Sequence, residues 1–277
     1  MSIQNFIPTV WAARIQKELE AKYVFAELTN RDYEGDISGF GDSVKINNIG
    51  DITVGDYVKN STVITPEQLT STQQELLIDQ AKYISFYVDD VDAAQAKPKV
   101  MDEAVRKSSR ALAAQADTFI ANLMNDGAGL TGPAGALSVT DIPDFMGTIV
   151  QQLDEADNDP DEERFIVVPA WLKKLIVTSF QGNTQSVDVQ TNGLVGRYYG
   201  LNVYMSNRLP DATAGTDSVY LAGTRSGTTM AEQIVSMEAY RPESSFSDAV
   251  KGLHVYGAKV VLPNALLRGE VSEFSEA

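Results

Sequence analysis

Residues 98–125 read PKVMDEAVRKSSRALAAQADTFIANLMN, and this stretch decides the fold. Apolar side chains recur at Met101, Val105, Leu112, Ala116, Phe119 and Leu123, with Ser108 completing the row. Steps of three and four residues place all seven on one face of an α-helix. At a rise of 1.5 Å per residue the stretch predicts a rod of roughly 40 Å, about twice the length of an average globular helix. A coiled coil would need bulkier seam residues than Ala and Ser, and regular flanking ion pairs, and the stretch has neither.

On the C-terminal side, Gly127–Gly135 is rich in glycine and proline and reads as a hinge at a domain boundary. Helical and strand patterns then alternate. A helix carries Met146, Ile149, Val150 and Leu153, and a strand runs from Phe165 to Val168. Pro169 opens a second helix with Leu172, Leu175 and Ile176, and further strands span Leu201–Ser206 and Ser218–Ala222. This is the pattern of a mixed α/β module. Gln233–Arg241 and Leu253–Val261 read as long strands suited to lying beside the long helix.

On the N-terminal side, Ile78–Val88 alternates as a strand, with Ile84, Phe86 and Val88 facing one way and Tyr83 and Tyr87 the other. Further upstream, Val44 and Ile46 alternate with polar residues, and Ile52 and Val54 repeat the pattern beyond Gly50-Asp51. That arrangement predicts a strand pair about a tight turn. From Gly50 to Glu75 the only apolar side chains are Ile52, Val54, Tyr57, Val58, Val63, Ile64 and Leu69. So sparse a stretch cannot bury a core of its own, and it reads as a projecting two-stranded arm. Near the start, Pro8 precedes Trp11, Ile15, Leu19 and Tyr23 at steps of four, which predicts a helix.

The chain has 277 residues and a formal charge of −16 from 22 basic and 38 acidic side chains. So acidic a surface repels nucleic acid and argues against sequence-specific binding to it. With no cysteine, disulfides, thiolate catalysis and sulfur-ligated metals are excluded. The opening residues lack the regions of a signal peptide, and no window has the apolar length of a membrane helix. The expectation is a protein made in, and acting from, a cytoplasm, without a membrane partner.

Motifs for chemistry fail on context. Gly127-Ala128-Gly129-Leu130-Thr131-Gly132 matches a dinucleotide fingerprint but follows a helix instead of a strand, and Pro133 breaks the helix that should come next. Asp157, Asp159 and Asp161 imitate the first ligands of a calcium loop, yet Glu162 stands where its glycine belongs and Val168 where its last carboxylate belongs. These residues read as a solvated acidic turn. His254 is the single histidine and sits in a strand-like alternation, so a structural role is expected. No Gly-x-Ser-x-Gly elbow or phosphate-binding loop is present. No catalytic, cofactor-binding or metal-binding residue is assigned.

The order of elements is specific: N-terminal helix, polar arm, strand, long helix, α/β module, returning strands. It resembles the major capsid proteins of tailed bacteriophages, the Hong Kong 97-like fold, of class α+β. Local phrases carry the same resemblance. They include Ile7-Pro8-Thr9-Val10-Trp11-Ala12-Ala13-Arg14, Asn30-Arg31-Asp32-Tyr33-Glu34-Gly35 and Gly41-Asp42-Ser43-Val44-Lys45-Ile46. Ile78-Asp79-Gln80-Ala81-Lys82-Tyr83, Val88-Asp89-Asp90-Val91-Asp92 and Gly200-Leu201-Asn202-Val203 continue it.

The resemblance implies an N-arm (1–36), an extended loop (37–82), a peripheral domain with its spine helix (83–140, the helix at about 98–125), an axial domain (141–232), and returning strands with the C-terminus (233–277). It implies hexamers and pentamers closing into an icosahedral virion shell around double-stranded DNA bound without specificity, with assembly in the host cytoplasm. Implied assembly contacts are Trp11 in the N-arm and Ile52, Val54, Tyr57, Lys59 and Val63 in the extended loop. Some relatives crosslink an extended-loop lysine to a neighbour's asparagine. No motif identifies that asparagine or its assisting glutamate here, so Lys59 reads as a solvated arm lysine. Helix signals begin at Pro8, so a separate scaffolding protein is expected, with portal and decoration proteins as further partners. Alternatives are an encapsulin-like nanocompartment shell, a tail-tube or decoration protein, and a metal-independent soluble α/β enzyme.

Overall fold

The long helix organises the chain in the structure, a computed structural model that describes residues 23–32, 40–49, 56, 59, 71–89, 99–156, 158–159, 161–180, 194–213, 217–240 and 247–274. Helix α1 spans Lys99–Gly127, 29 residues. Its buried residues are Ser109, Leu112, Ala113, Ala116, Asp117, Ile120, Ala121 and Met124. Compared with the expected stripe, the buried face is centred about one position further along. Ser109 is buried where Ser108 was expected, and Phe119 and Leu123 lie only partly covered at its margin. The reason is that α1 is covered from two sides. Residues 23–28 and strand residues Phe165, Leu221 and Leu266 belong to the same core cluster as Tyr256 and Met230. The ring of Phe119 meets Tyr256 edge-on at 5.6 Å.

The α/β module is built on a seven-stranded sheet. Its strands are β4 (Leu130–Thr131), β5 (Gly135–Leu137), β6 (Arg164–Val168), β7 (Leu194–Tyr198), β8 (Leu201–Met205), β9 (Ser218–Thr224) and β12 (Leu266–Glu273). They run in the order β4-β12-β9-β6-β8-β7, with β5 also on β12. Helices α2 (Ile142–Glu155) and α3 (Ala170–Phe180) cover one face, where Ile149, Leu153, Leu172 and Ile176 meet Ile166, Val168, Leu201 and Tyr220. The alternate residues Phe165, Val167, Val219 and Leu221 join the α1 cluster. A sheet covered on both faces explains why 165–168 reads as an unbroken apolar run.

A second, antiparallel sheet has the order β10-β11-β3, from β10 (Thr228–Tyr240), β11 (Ser247–Val260) and β3 (Gln80–Asp89). The register runs Thr228↔Val260 to Tyr240↔Ala249 and Ser247↔Asp89 to Tyr256↔Gln80, with a bulge between Ile234 and Ser236. Helix α1 packs on β11 and β3.

A two-stranded sheet stands where the arm is expected, but its pairing differs from the sequence expectation. Strand β1 (Ser43–Ile49) pairs with β2 (Ser71–Leu77), from Ser43↔Leu77 to Ile49↔Ser71. The partner expected at Ile52 and Val54 lies outside the described residues. Strand β2 hides in a polar run because Leu76 is its one buried residue among those described, with the partly buried Gln74 in the preceding inward position. Membership of the sheets also cuts across the expected division of the chain. Strands β4 and β5, from the stretch expected to be peripheral, and β12, from the returning strands, both enter the seven-stranded sheet. Hydrogen bonds from Gly129 N–H to Pro263 O (2.8 Å) and Gly132 N–H to Arg268 O (2.7 Å) tie down the segment read as a hinge.

Candidate functional site

The single histidine comes first, because any triad would need it. His254 is 1% exposed, and its Nε2 lies 3.0 Å from Glu232 Oε2 on the neighbouring strand. The same carboxylate accepts from the Tyr23 hydroxyl at 2.5 Å, and Arg31 Nη1 lies 2.9 Å from Glu232 Oε1. Burial pushes the Glu232 carboxyl up, but the hydrogen bond from His254 and the Arg31 charge outweigh it and hold the group below the usual range. Burial and the Glu232 charge push the Tyr23 hydroxyl well above its ordinary value. Among the described residues no serine or threonine is bonded to His254, and the cluster knots residues 23–31 to β10 and β11.

A second knot lies on α1. Asp117 is 3% exposed and accepts hydrogen bonds from Val24 N–H (3.0 Å), Phe25 N–H (3.0 Å) and Ala26 N–H (3.2 Å). Burial pushes this carboxyl up to about 6, against the three N–H groups that favour its charged form. These donors open the short 3-10 turn Ala26–Leu28, whose first N–H groups have no partner within the turn. Sequence reasoning missed Asp117, Glu232 and Arg31. A signal existed for the first: Asp117 is a carboxylate on the apolar face of a long helix, between Ala113 and Ile120.

The remaining motifs resolve into packing. A Cβ at Gly129 would lie 2.8 Å from the Pro263 carbonyl, and one at Gly127 2.6 Å from Val260. At Gly132 it would collide with the Tyr220 hydroxyl, which donates to Pro133 O at 2.8 Å. The fingerprint glycines therefore let the backbone approach the end of β11, the turn before β12, and Tyr220 of β9. The acidic turn is partly engaged: Glu162 accepts from Ser226 N–H and Oγ, both at 2.7 Å, and Asp154 pairs with Arg164 at 2.6 Å. Among the described residues no group of three or more His, Asp or Glu side chains could hold a metal, and no helix is long and apolar enough to cross a membrane.

What remains for function is surface. The root of the arm buries Ile46, Leu76 and Ile78 against Ala231 and Val255, and Gln74 Nε2 donates to Val261 O at 3.1 Å. Of the six expected contact residues, Lys59 stands exposed at a turn. Trp11, Ile52, Val54, Tyr57 and Val63 lie outside the described residues, as does the helix expected after Pro8. Beside α1 an open groove of about 810 Å³ gathers Arg106, Lys107, Arg110 and Arg208, with Arg106 forked onto Glu103. Exposed aromatics among the described residues are Phe40, Tyr83 on β3, Tyr199 at the β7–β8 turn and Phe274.

The described residues thus give a long frame helix, two sheets that share a core cluster and a two-stranded arm root packed on the second sheet. Comparison with known proteins gives the family. A model described as "Phage capsid protein" matches residues 73–269, and the chain belongs to that family. The chain is similar to a solved chain of Mycobacterium phage Che8 at 30% identity and a TM-score of 0.71, covering 90% of this chain and 91% of that one. It shares its fold with the capsid structure of the Cyanophage P-SCSP1u at 18% identity and a TM-score of 0.68, covering 91% and 89%. A virus-like particle from Pyrococcus furiosus matches at 11% identity and a TM-score of 0.55, covering 94% and 98%. No curated protein matches the chain. The protein is a major capsid subunit with the Hong Kong 97-like α+β fold, a structural and non-enzymatic component of the virion that assembles from many copies of itself.

Proposed function

We propose that the subunits form hexamers and pentamers that close into an icosahedral head around double-stranded DNA held without specific recognition. The observation carrying this reading is the arm. Its root is bolted into the core by Ile46, Leu76 and Ile78, while the stretch beyond the root has too few apolar side chains to order itself. An arm of that kind gains its burial from a neighbour. On this reading Trp11, Ile52, Val54, Tyr57, Lys59 and Val63 contact adjacent subunits, and residues 1–36, 37–82, 83–140, 141–232 and 233–277 act as N-arm, extended loop, peripheral domain, axial domain and returning strands, with β4, β5 and β12 lending their edges to the axial sheet. The charge of −16 suits an inner wall that must not bind packaged DNA. Assembly takes place in the host cytoplasm with a separate scaffolding protein, and a portal and decoration proteins complete the head.

The test is expression of the chain with and without its scaffolding partner, followed by negative-stain imaging. Closed shells of one size with the partner, and irregular shells or tubes without it, are expected. A chain that stays monomeric at all salt and protein concentrations overturns the reading. The match to a virus-like particle supports a second reading, a nanocompartment holding protein cargo. Nuclease-protected double-stranded DNA inside virions assigns the first; particles filled with protein assign the second.

A further inference from the structure

Tyr199 is the only non-glycine residue among the described residues with a left-handed backbone, at φ 48°. It forms a two-residue turn with Gly200, φ 86°, closing the hairpin in which Tyr198 pairs with Leu201. Positive φ at both central positions defines a type I′ turn, and Asn-Gly is the favoured pair there because Asn tolerates the left-handed region. A large aromatic residue in that region is uncommon and strained. The strain brings no burial in return. Tyr199 is 56% exposed, and its ring meets Tyr198 edge-on at 4.9 Å, while Tyr198 itself packs into the α2–α3 core. The hairpin ends at β7, the edge of the seven-stranded sheet.

We propose that Tyr199 is a subunit–subunit contact, its ring packing against a second copy of this chain. A family whose members build shells from many identical subunits supplies the occupant, and an aromatic side chain presented on a rigid two-residue turn suits an interface anchor, being large and losing little rotamer entropy. Single exposed aromatics are ordinary on surfaces, but one held at a conformational cost with a better local alternative is not.

The proposal predicts opposite signs for folding and assembly, which a purely internal role would not give. In Tyr199→Asn the turn gains its favoured residue and loses the ring. Unassembled subunits should melt at or slightly above the wild-type temperature. The critical concentration for assembly, read by light scattering and micrographs, should rise about tenfold or more, the equivalent of 1.4 kcal/mol per contact. Tyr199→Phe, which keeps the ring, should assemble within about threefold of wild type. The inference rests on self-assembly, so the wild-type chain run in parallel separates the two failures: no wild-type assembly removes the capsid reading itself. If wild type assembles and Tyr199→Asn does so at the same concentration, the contact does not exist. If Tyr199→Asn melts lower, the ring supports its own hairpin, and the inference is likewise overturned.

Discussion

The seven-stranded sheet and the two-stranded arm are made by the same chain under opposite rules. In the sheet, Phe165–Val168 send side chains to both faces, and every one is at most 2% exposed. Burial of that kind contributes about 25 cal/mol per Å² and orders the module without help. In the described root of the arm Ile46 and Leu76 are buried while Leu77 is 49% exposed, and the sequence between the two strands offers few apolar groups. A capsid subunit has to be stable before its neighbours arrive and yet keep surfaces unsatisfied until they do. On the proposed reading of the arm, the contrast divides those two tasks between separate regions.

The sharpest way to break the comparison is to remove the arm beyond its root. Replacing Thr53–Thr70 by a short Gly-Ser linker spares β1 and β2 and should leave the melting temperature of unassembled subunits near wild type. Closed shells should disappear from micrographs. A deletion that unfolds the subunit would place the arm in the core, and normal shells would deny it any role in clasping neighbours.

Inside the sheet the opposite outcome is expected. Ile166→Ala removes a fully buried side chain between α2 and α3 and should cost about 2–5 kcal/mol in denaturant unfolding. Assembly should fall only as far as the folded fraction falls.

The joint between residues 23–32 and α1 lies between these extremes. Asp117→Ala leaves three N–H groups without their acceptor and should destabilise by about 2–3 kcal/mol, less whatever desolvation of the charge is relieved. The same residue sets a pH dependence. Its folded value of about 6 is raised from 3.8, so the folded state holds the proton more tightly. Its stabilising contribution is complete below about pH 4 and is lost as pH rises through about 6. Melting curves of Asp117→Asn should lack the part of the pH slope that wild type shows in this window. Equal slopes would remove Asp117 as the cause.

The smallest effect is expected where the two halves of the chain are pinned together. Gly129→Ala drives a methyl toward the Pro263 carbonyl and should cost about 1–3 kcal/mol. No change in unfolding would mean that the 127–135 segment yields easily, as a hinge would.

The sequence by itself determined the elements with strong periodicity. The 29 residues of α1, the alternation in β3, the strands at 165–168 and 218–222, and the helix after Pro169 follow from local patterns of burial. The first strand of the two-stranded sheet was legible too, from the alternation at Val44 and Ile46. Which strand partners which was not. Strand β2 is written in glutamines, and its pairing with β1 across residues 50–70 depends on Ile46, Leu76 and Ile78 meeting Ala231 and Val255 from far along the chain. The glycines at 127, 129 and 132 have meaning only beside Val260, Pro263 and Tyr220, and β12 joins the large sheet because its alternating apolar residues complete both core clusters. The joint at Asp117 and Glu232 is decided in the same way. A buried carboxylate is tolerable only where donors converge on it, and those donors arrive from more than 90 residues away for Asp117 and 209 for the Tyr23 hydroxyl. Local sequence sets the period of an element, whereas long-range partners set its neighbours, because a buried polar group or a close backbone contact is satisfied by whatever the completed fold brings to it.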